Sequence, residues 1–433
     1  MSRIRIAGVA LVAALAVPSV AAAGQYPPPA NPGAPQKPPK GPFHTLQVCK
    51  KDCKYKTIQA AVNKAKAGDT VKVKSGVYHE QVKISGASKR YLKLIGNPGN
   101  PSKVVIDSSR GKAAARQNGV WVTDADQVTV NGFTARHYNG NGFFVLNANG
   151  YTLKNLNATL GGVYGIYAFN SVGGTMSDSQ ASYNNDAGFY IGQTPPQTTP
   201  KRSTVTRVKS FGNVLGFSGT NMRYVTITKS QWFNNGTGLV PNALDSEKYA
   251  PDEDNVITDN DIFWNNFNYY AGAPFKRKRT SVGSVAYPVG VGLIIFGGRR
   301  NVVSNNRIYG NYLAGVGILK QIVLKQADAA DPVGNQVHDN QFGLGSADLN
   351  GRELVYDGSG SDNCFGPNAG VTTTLPADGS TFAACPFQGA NAFNGAAQTE
   401  AISWAGDTTH EKFWIKHPHA PKKGYTPLEH YKK

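Results

Sequence analysis

The chain has 433 residues, with 45 Lys and Arg against 27 Asp and Glu, a formal charge of +18, and 49 glycines. This length allows a large core in two or three domains of ordinary size, unless the chain is built from repeats. No segment after the N-terminus is apolar over the roughly 20 residues that a membrane-spanning helix needs, which excludes a span in the mature chain.

The N-terminus has the pattern of an export signal. Arg3 and Arg5 precede an apolar run from Ala7 to Val20, and small residues lead to Ala23. We expect residues 1–23 to be a signal peptide cut after Ala23, which leaves a charge of +16; a retained N-terminal anchor stays open. Residues 24–44 are rich in proline and predict a stiff, extended linker.

Four cysteines fit an exported protein, and we expect nearest neighbours to pair, Cys49 with Cys53 and Cys364 with Cys385. Metal binding by the first pair is the alternative, but a second close pair of ligands is missing. Residues 37–93 carry 14 Lys and Arg against three acids, a net charge of +11. For a secreted or cell-surface protein, this charge favours an anionic glycan and disfavours nucleic acid; charge that serves only solubility is the alternative.

The folded part begins with a helix and short strands. Apolar residues at helical spacing predict an amphipathic helix over Thr57–Ala65, which Gly68 follows. Alternating valines and lysines after it predict short strands. Because the ends of a repeat fold expose strand edges, we expect this helix to cover the first end.

A short phrase then returns many times: small polar residues and Asn, a glycine, and an apolar alternation. Five of the eight intervals between its glycines are 22 or 23 residues. A period of this length without a second helix pattern predicts a β-solenoid, whose stacked coils bury each other's apolar positions. The marker glycines are Gly119, Gly142, Gly165, Gly188, Gly216, Gly238, Gly292, Gly315 and Gly343.

Glycine and asparagine in this phrase fit sharp corners, because both tolerate a positive φ. Asn139, Asn185, Asn213 and Asn235 each stand three residues before a marker glycine. In stacked coils such amides lie in register and can form a hydrogen-bonded ladder. We therefore interpret these asparagines as structural.

The pattern resembles the pectin-lyase-like superfamily of right-handed parallel β-helix proteins. The segment "TIQAAVNKAKAGDTVKVKSGVYHEQVKI" is similar to the usual entry to that fold, and the Asn- and Gly-containing phrases are similar to its coils. The resemblance implies an all-β, right-handed parallel β-helix with an N-terminal capping helix over residues 45–350, and a C-terminal extension with a disulfide and a basic tail over 351–433. It implies a polysaccharide as partner.

The resemblance does not supply a catalytic residue. The superfamily includes lyases, polygalacturonases, esterases, epimerases and members without known catalysis. The Gly-His-Gly and Arg-Ile-Lys of polygalacturonases and the Asp-Pro-His of mannuronan epimerases do not occur in this sequence. The oligomeric state is not indicated either.

Three insertions break the repeat, at 193–201, 241–254 and 269–291, and we expect function to lie there. The first two follow corresponding strands two coils apart, and the third is basic. Together they predict a cleft over the middle coils. The candidate metal ligands, for Ca²⁺, are Asp245, Asp252 and Asp254. The candidate catalytic residues are Asp245, Lys248, Tyr249 and Arg299, and the candidate substrate-binding residues are Trp264, Tyr270, Lys276, Arg277 and Arg300.

Three interpretations of these insertions remain open. In the first, a cation or Arg299 neutralises a uronate and Lys248 or Tyr249 removes the neighbouring proton, which is β-elimination. In the second, two acids hydrolyse a glycosidic bond. In the third, the acidic and basic loops only form salt bridges. Sugar rings stack on aromatic faces, and we expect Trp264 and Tyr270 to face outward and Phe263 to lie in the core.

The sequence thus predicts a secreted or cell-surface β-helix protein that binds an extracellular, anionic polysaccharide and, as a lyase, cleaves it. A non-catalytic envelope or adhesion protein is the alternative.

Overall fold

The computed structural model describes residues 34–109, 116–267, 287–325, 327–344 and 348–405. The predicted signal peptide and basic tail lie outside these ranges. Residues 34–44 of the predicted linker contain no helix or strand.

The described chain winds into a β-helix whose parallel strands form three faces. Faces 1 and 2 belong to one hydrogen-bonded sheet of 20 strands, and face 3 is a sheet of 11 strands. Two long strands, Val128–Arg136 and Tyr151–Thr159, bend around the corner and serve faces 1 and 2 in turn.

The remaining strands divide among the faces as follows. Face 1 contains Thr45–Val48, Thr70–Val73, Lys93–Ile95, Thr175–Ser177, Ser203–Thr206, Val225–Thr228, Val256–Thr258, Val302–Ser304, Gln336–His338 and Cys364–Phe365. Face 2 contains Gly76–Tyr78, Val104–Asp107, Gln180–Ser182, Lys209–Phe211, Gln231–Phe233, Asp261–Phe263, Arg307–Tyr309 and Gln341–Phe342. Face 3 contains Val82–Ser85, Asn118–Thr123, Asn141–Leu146, Ile166–Phe169, Ala187–Gly192, Leu215–Thr220, Thr237–Asn242, Val291–Phe296, Ala314–Leu319, Leu354–Tyr356 and Thr374–Leu375.

The predicted period is confirmed by the register of these strands. On face 3, Val120 pairs with Phe143, Phe143 with Ile166, and Ile166 with Phe189, each 23 residues further along the chain. All four side chains are buried in one continuous core. Alternate residues of each strand point into this core, because successive side chains of a strand leave on opposite sides.

The marker glycines stack, but the reason differs from the one predicted. Eight of them, from Gly119 to Gly315, occupy one register position at the start of face 3. None has a positive φ. A Cβ at Gly238 would lie 2.2 Å from the carbonyl oxygen of Gly292, and one at Gly216 would lie 2.4 Å from that of Gly238. These positions require glycine because the next coil approaches too closely for any side chain.

Gly343 is wrongly assigned to this series. It follows the face-2 strand Gln341–Phe342 and has a φ of 72°. The register position above Gly315 is held by Glu353. Sequence spacing did not distinguish the two, because the chain between them is irregular.

Positive φ values lie at the corners, and side chains other than glycine carry many of them. Asn147, Asn170 and Asn221 hold this conformation where face 3 turns into face 1. Asn and Asp tolerate it because their short polar side chains bond locally.

Asparagine ladders run along all three corners, as Asn Nδ2 of one coil donates to Asn Oδ1 of the next. The longest includes the predicted Asn213 and Asn235, but its first member is Asn184 and not Asn185. The three ladders are Asn184–Asn213–Asn235–Asn265–Asn311–Asn350, Asn255–Asn301–Asn335–Asn363–Asn391 and Asn260–Asn306–Asn340–Asn368, with links of 2.8–3.2 Å.

The predicted helix covers the first end of the solenoid. Helix α1 spans Ile58–Lys64, and Thr57 caps it by accepting from the Ala60 N–H. The buried Glu80 carboxylate accepts from the N–H groups of Ile58 and Gln59, both at 2.9 Å. This negative charge at the N-terminus of the helix fixes it to the first coil.

The far end is closed by an extension that continues the stacking beyond residue 350. Helix α2 spans Ala327–Ala330, and helix α3 spans Gly395–Ser403. Helix α3 packs against the face-3 strand Leu354–Tyr356. Both predicted disulfides, Cys49–Cys53 and Cys364–Cys385, are confirmed. None of the described helices is long and apolar enough to cross a membrane.

The glycine register gives a stability prediction. We expect Gly238→Ala to destabilise the protein by about 3 kcal/mol, because the new Cβ would meet the backbone carbonyl of the next coil and force the coils apart. Urea unfolding monitored by circular dichroism measures the change. Gly99→Ala is the control, since the nearest heavy atom to a Cβ there lies 3.7 Å away. Equal stability of the two variants would contradict the close-approach argument.

Candidate active site

The first two insertions lie side by side at the end of face 3. They follow the strands Ala187–Gly192 and Thr237–Asn242, with only the strand Leu215–Thr220 between them. Two coils amount to roughly 10 Å. The backbone N–H of Lys248 donates to Oε1 of Gln193 at 2.9 Å, so the two insertions touch. The predicted proximity of these two insertions is confirmed.

Glu247 is the residue of the second insertion that turns toward face 3. Its Oε1 accepts a short hydrogen bond from the hydroxyl of Tyr190. Its Oε2 is buried and has no hydrogen-bond partner among the described residues. Burial raises the pKa of Glu247 to about 8, although the Tyr190 hydroxyl and the backbone of Gln193 act in the opposite direction. At neutral pH this carboxyl group is therefore mainly protonated and can donate a proton.

Three more tyrosines surround this acid. Tyr164 and Tyr167 lie against Tyr190, with ring centroids 4.5 and 4.8 Å away. Burial raises the pKa of all three phenols, and the negative charge of Glu247 raises them further. The pKa of Tyr287 is raised by burial and then by the charges of Asp186 and Glu247. These phenols stay protonated near neutral pH and act as hydrogen-bond donors, not as bases.

Tyr287 also connects the third insertion to this cluster. The insertion returns to the start of the face-3 strand Val291–Phe296, whereas the second insertion leaves at the end of Thr237–Asn242. The second and third insertions therefore join face 3 at opposite ends of its strands. Tyr287 and Tyr164 pack against the same apolar cluster, which places the described end of the third insertion beside the tyrosines near Glu247. This supports the expectation that the insertions share one site.

An aromatic row runs along face 3 toward Glu247. Trp121, Phe144, Tyr167 and Tyr190 are register neighbours on consecutive coils. The first three rings are nearly parallel, with centroids 6.3 and 4.5 Å apart. Lys83 lies over the outer face of Trp121 at 4.3 Å. Because the first three ring faces contact each other, Trp121, Phe144 and Tyr167 present half-buried ring edges, which form an apolar strip and not a set of open stacking platforms. Tyr190 is buried, and its ring lies edge-on to that of Tyr167.

The four predicted catalytic residues do not form this cluster. Asp245 is exposed and accepts from the backbone N–H of Lys325 at 2.7 Å. The Lys248 side chain is exposed. Tyr249 is half-buried with a φ of 69°, and its carbonyl accepts from Arg223. Arg299 lies half-buried at the corner between faces 3 and 1, where its backbone pairs with Glu253 and Val333.

The acids that end the second insertion belong to a charge network at that same corner. Glu253 is buried and bonds the buried Arg223 at 2.7 Å and Arg300 at 2.9 Å. Asp254 forms two hydrogen bonds with Arg300, at 2.8 and 2.9 Å. These partners lie outside the basic insertion, so the third interpretation, a pairing of the acidic loop with the basic loop, stays a prediction. The guanidinium of Arg300, a predicted substrate ligand, is committed to this network.

The predicted calcium ligands do not converge. Asp252 is fully buried and accepts from Asn301 Nδ2 at 3.0 Å, and burial raises its pKa to about 7. Asp254 pairs with Arg300, and Asp245 faces Lys325. Within the described ranges, no three His, Cys, Asp or Glu side chains are grouped as metal ligands. These residues do not fit a Ca²⁺ site, and Ca²⁺ binding stays an untested prediction.

The predicted aromatic ligands lie elsewhere or outside the described residues. Trp264 stands at the end of face 2, and its Nε1 donates to Asp348 Oδ2 at 2.7 Å. The prediction that Phe263 lies in the core is wrong. Ile262 points inward, and Phe263 stacks on the outer surface between Phe233 and Tyr309. Tyr270, Lys276 and Arg277 lie outside the described residues.

Comparison with known proteins agrees with this architecture. A family model described as a right-handed β-helix region matches residues 99–247. The A-module of the Azotobacter vinelandii mannuronan C-5 epimerase AlgE4 is similar in structure, with a TM-score of 0.50 and 16% identity over 72% of this chain and 90% of that one. The chain has the fold of a right-handed parallel β-helix protein.

Two further solved structures are similar to this β-helix protein at lower scores. The AlgE6 A-module of the same organism has a TM-score of 0.46 and 16% identity over 76% of this chain and 95% of that one. The pectate lyase Pel9A has a TM-score of 0.40 and 14% identity over 77% and 78%. No curated protein sequence matches the chain. At these identities the likeness concerns the fold alone.

The site residues that sequence reasoning missed are Glu247 and the tyrosines around it. Glu247 is one of five acids in the second insertion, and nothing in the sequence separates it from the others. Only burial and the Tyr190 contact do so. The regular spacing of Phe144, Tyr167 and Tyr190, 23 residues apart, was a signal that an outward-facing row follows the repeat.

A second buried acid in the β-helix protein predicts how stability depends on pH. Burial raises the pKa of Glu353 to about 7 from an ordinary value of 4.5, while Asn350 acts in the opposite direction. Because the folded state binds this proton more tightly than the unfolded state, stability falls as pH rises from about 4.5 to about 7. In Glu353→Gln we expect the free energy of unfolding to fall by roughly 1–3 kcal/mol less over this pH range than in the wild type.

Urea unfolding at pH 5 and at pH 8 measures this effect, with Asp52→Asn, at an exposed acid, as control for the loss of one charge. A pH dependence that is unchanged in Glu353→Gln would contradict the assignment.

The pKa of Glu247 itself can be measured. We expect a protonated-carboxyl infrared band that titrates near pH 8 and is absent in Glu247→Gln. In Tyr190→Phe the midpoint should move upward, because the hydroxyl no longer stabilises the carboxylate. A titration midpoint below pH 6 for this band would show that Glu247 is an ordinary carboxyl group that is ionised at neutral pH.

Proposed function

We propose that the protein cleaves an extracellular polysaccharide on face 3, with Glu247 as the proton donor to the departing glycosidic oxygen. The observation that carries this proposal is the contact between Tyr190 and a carboxyl group whose pKa is raised to about 8. A proton donor is effective when its pKa lies near the working pH. A buried carboxyl group without a structural ion pair, placed where insertions break a repeat, has the character of a functional site.

The surroundings of Glu247 are suited to a sugar chain. Tyr164, Tyr167 and Tyr287 supply hydroxyl donors, and the aromatic row supplies an apolar strip along the solenoid axis. Sugars combine polar hydroxyls with apolar C–H faces, and amphipathic aromatic side chains complement both. The row crosses four coils, roughly 15 Å, which favours an extended polymer over a single small sugar.

The second part of the proposal is the class of reaction. Both β-elimination and hydrolysis need a proton at the departing oxygen, which Glu247 supplies. Elimination also breaks the C–H bond beside the uronate carboxyl, and we assign that proton to the side chain of Lys248, the next residue of the same insertion. We favour an anionic substrate and hence β-elimination because the chain has a formal charge of +18. The structural neighbours named as an epimerase of mannuronan and as a pectate lyase are compatible with such a substrate. Secretion follows from the predicted signal peptide and agrees with the two disulfides.

Activity of wild type and Glu247→Gln on uronate polymers tests the proposal. We expect the substitution to lower kcat at least about a hundredfold, because Gln cannot donate a proton, while binding of the polymer persists. In wild type, activity should fall as pH rises through about 8, where Glu247 loses its proton. Ultraviolet absorbance reports the double bond made by elimination, and reducing-end release without absorbance reports hydrolysis.

Asp245→Asn is the matched control, because this acid of the same insertion is exposed and bonds only a backbone N–H in the described structure. Retention of the polymer without either product would contradict the enzymatic proposal and favour a non-catalytic envelope or adhesion protein. Equal activity of wild type and Glu247→Gln would remove Glu247 from the mechanism.

A further inference from the structure

The first coils and helix α1 carry an almost uniformly positive surface. We call residues 37–93 the basic cap. Of its 14 Lys and Arg, twelve lysines are exposed, and only one of its three acids, Asp52, is exposed. The described residues show no ion pair between these lysines and an acid.

The other two acids of the basic cap are turned inward and cannot neutralise it at the surface. Asp69 is buried and accepts from the backbone N–H groups of His44 and Lys66, both at 2.8 Å. Glu80 is buried against the N-terminus of α1. Both carboxylates therefore stabilise the fold, and the positive charge of the lysines stays exposed to solvent.

The chemistry of the basic cap fits a polymer better than a small anion. Thirteen of the 14 cations are lysines, which are flexible point charges, whereas small phosphates and carboxylates are usually held by the two-pronged guanidinium group of arginine. The exposed lysines are spread over α1 and several strands; for example, Lys72 and Lys93 lie on neighbouring strands of face 1. Many separated point charges complement repeated charges along a linear chain.

We propose that the basic cap binds a linear anionic polysaccharide at a surface separate from Glu247. The cap also adjoins the aromatic row: Lys83 is the register neighbour of Trp121 and lies over its ring. From Lys83 to Tyr190 the chain rises four coils, roughly 19 Å. One long polymer can therefore contact the cap and the proposed active site together. This last step rests on the proposed function; binding by the cap does not.

Binding of polygalacturonate to the Glu247→Gln protein tests the proposal without cleavage. The cap variant replaces Lys54, Lys56, Lys72 and Lys74 with Gln. The matched control replaces four exposed lysines outside the cap with Gln and so removes the same charge: Lys201, Lys209, Lys229 and Lys325. Circular dichroism first establishes that both variants are folded. Calorimetry at low and moderate salt then measures affinity, with fully methyl-esterified polygalacturonate as the uncharged polymer.

We expect roughly tenfold or greater loss of affinity in the cap variant, little change in the control, no binding of the ester, and weakening with salt. Equal loss in both variants would overturn the proposal, because binding would then follow net charge and not the cap. Binding of anionic phospholipid vesicles but not of polygalacturonate would also overturn it. If the fourfold cap variant does not fold, Lys72→Gln with Lys93→Gln is compared with Lys209→Gln with Lys229→Gln; a larger loss of affinity in the first pair supports the proposal, and an equal loss overturns it.

If cleavage by the wild-type protein fails while cap-dependent binding persists, only the proposed function is wrong. If cleavage by the wild-type protein succeeds, and the four cap substitutions introduced into the wild-type protein leave binding and cleavage of long polymers as strong as the control substitutions do, only the cap proposal is wrong.

Discussion

The structure depends on the close parallel stacking of successive coils. Each strand takes its hydrogen-bond partners from the coils above and below, and no coil can bury its apolar positions alone. The marker glycines show how tight this stacking is, because the carbonyl oxygen of Gly292 occupies the space of a Cβ at Gly238. The corner asparagines complete the same arrangement, since each satisfies main-chain groups as well as its neighbour in the ladder.

The candidate site follows from the places where this regularity ends. A coil can lengthen only at a corner, because a strand residue added within a face would shift every side chain to the opposite side. The first two insertions leave the same corner of face 3 two coils apart and contact each other, and Oε2 of Glu247 is buried. Burial then raises its pKa, and the tyrosines of the regular face supply the hydroxyl groups beside it. The repeat thus provides the rigid wall, and one irregular loop provides the titratable group.

The sequence was informative wherever one residue type repeats for one physical reason. The 23-residue period, helix α1, both disulfides and the meeting of the first two insertions were predictable from spacing and composition. The glycines were found for the wrong reason: their number suggested turns, but the constraint is contact with the next coil, which no single coil reveals. Asn184 and Asn185 are adjacent and chemically identical, so only the register decides which one enters the ladder.

The candidate site was predictable in location but not in identity. Loop composition pointed to the second insertion, yet Asp245 and Glu247 are both acids two residues apart, and one is exposed while the other is buried. Arg300 and Asp254 carry the charges expected of a binding site, but in the folded chain they neutralise each other. Whether a charged side chain is available for binding depends on its partners in the neighbouring coil, which are 46 residues away in sequence in this case.

The asparagine ladders have a consequence for how such a protein can change over time. Asn260 and Asn306 are 46 residues apart in sequence, whereas Asn335 and Asn363 are 28 apart, yet both pairs make the same amide bond at 2.8–3.0 Å. The ladder is thus indifferent to how much chain loops out between its members. A scaffold with this property accepts new loops without redesign of its interior, so that chemistry can diversify by exchange of loops while the solenoid is inherited unchanged.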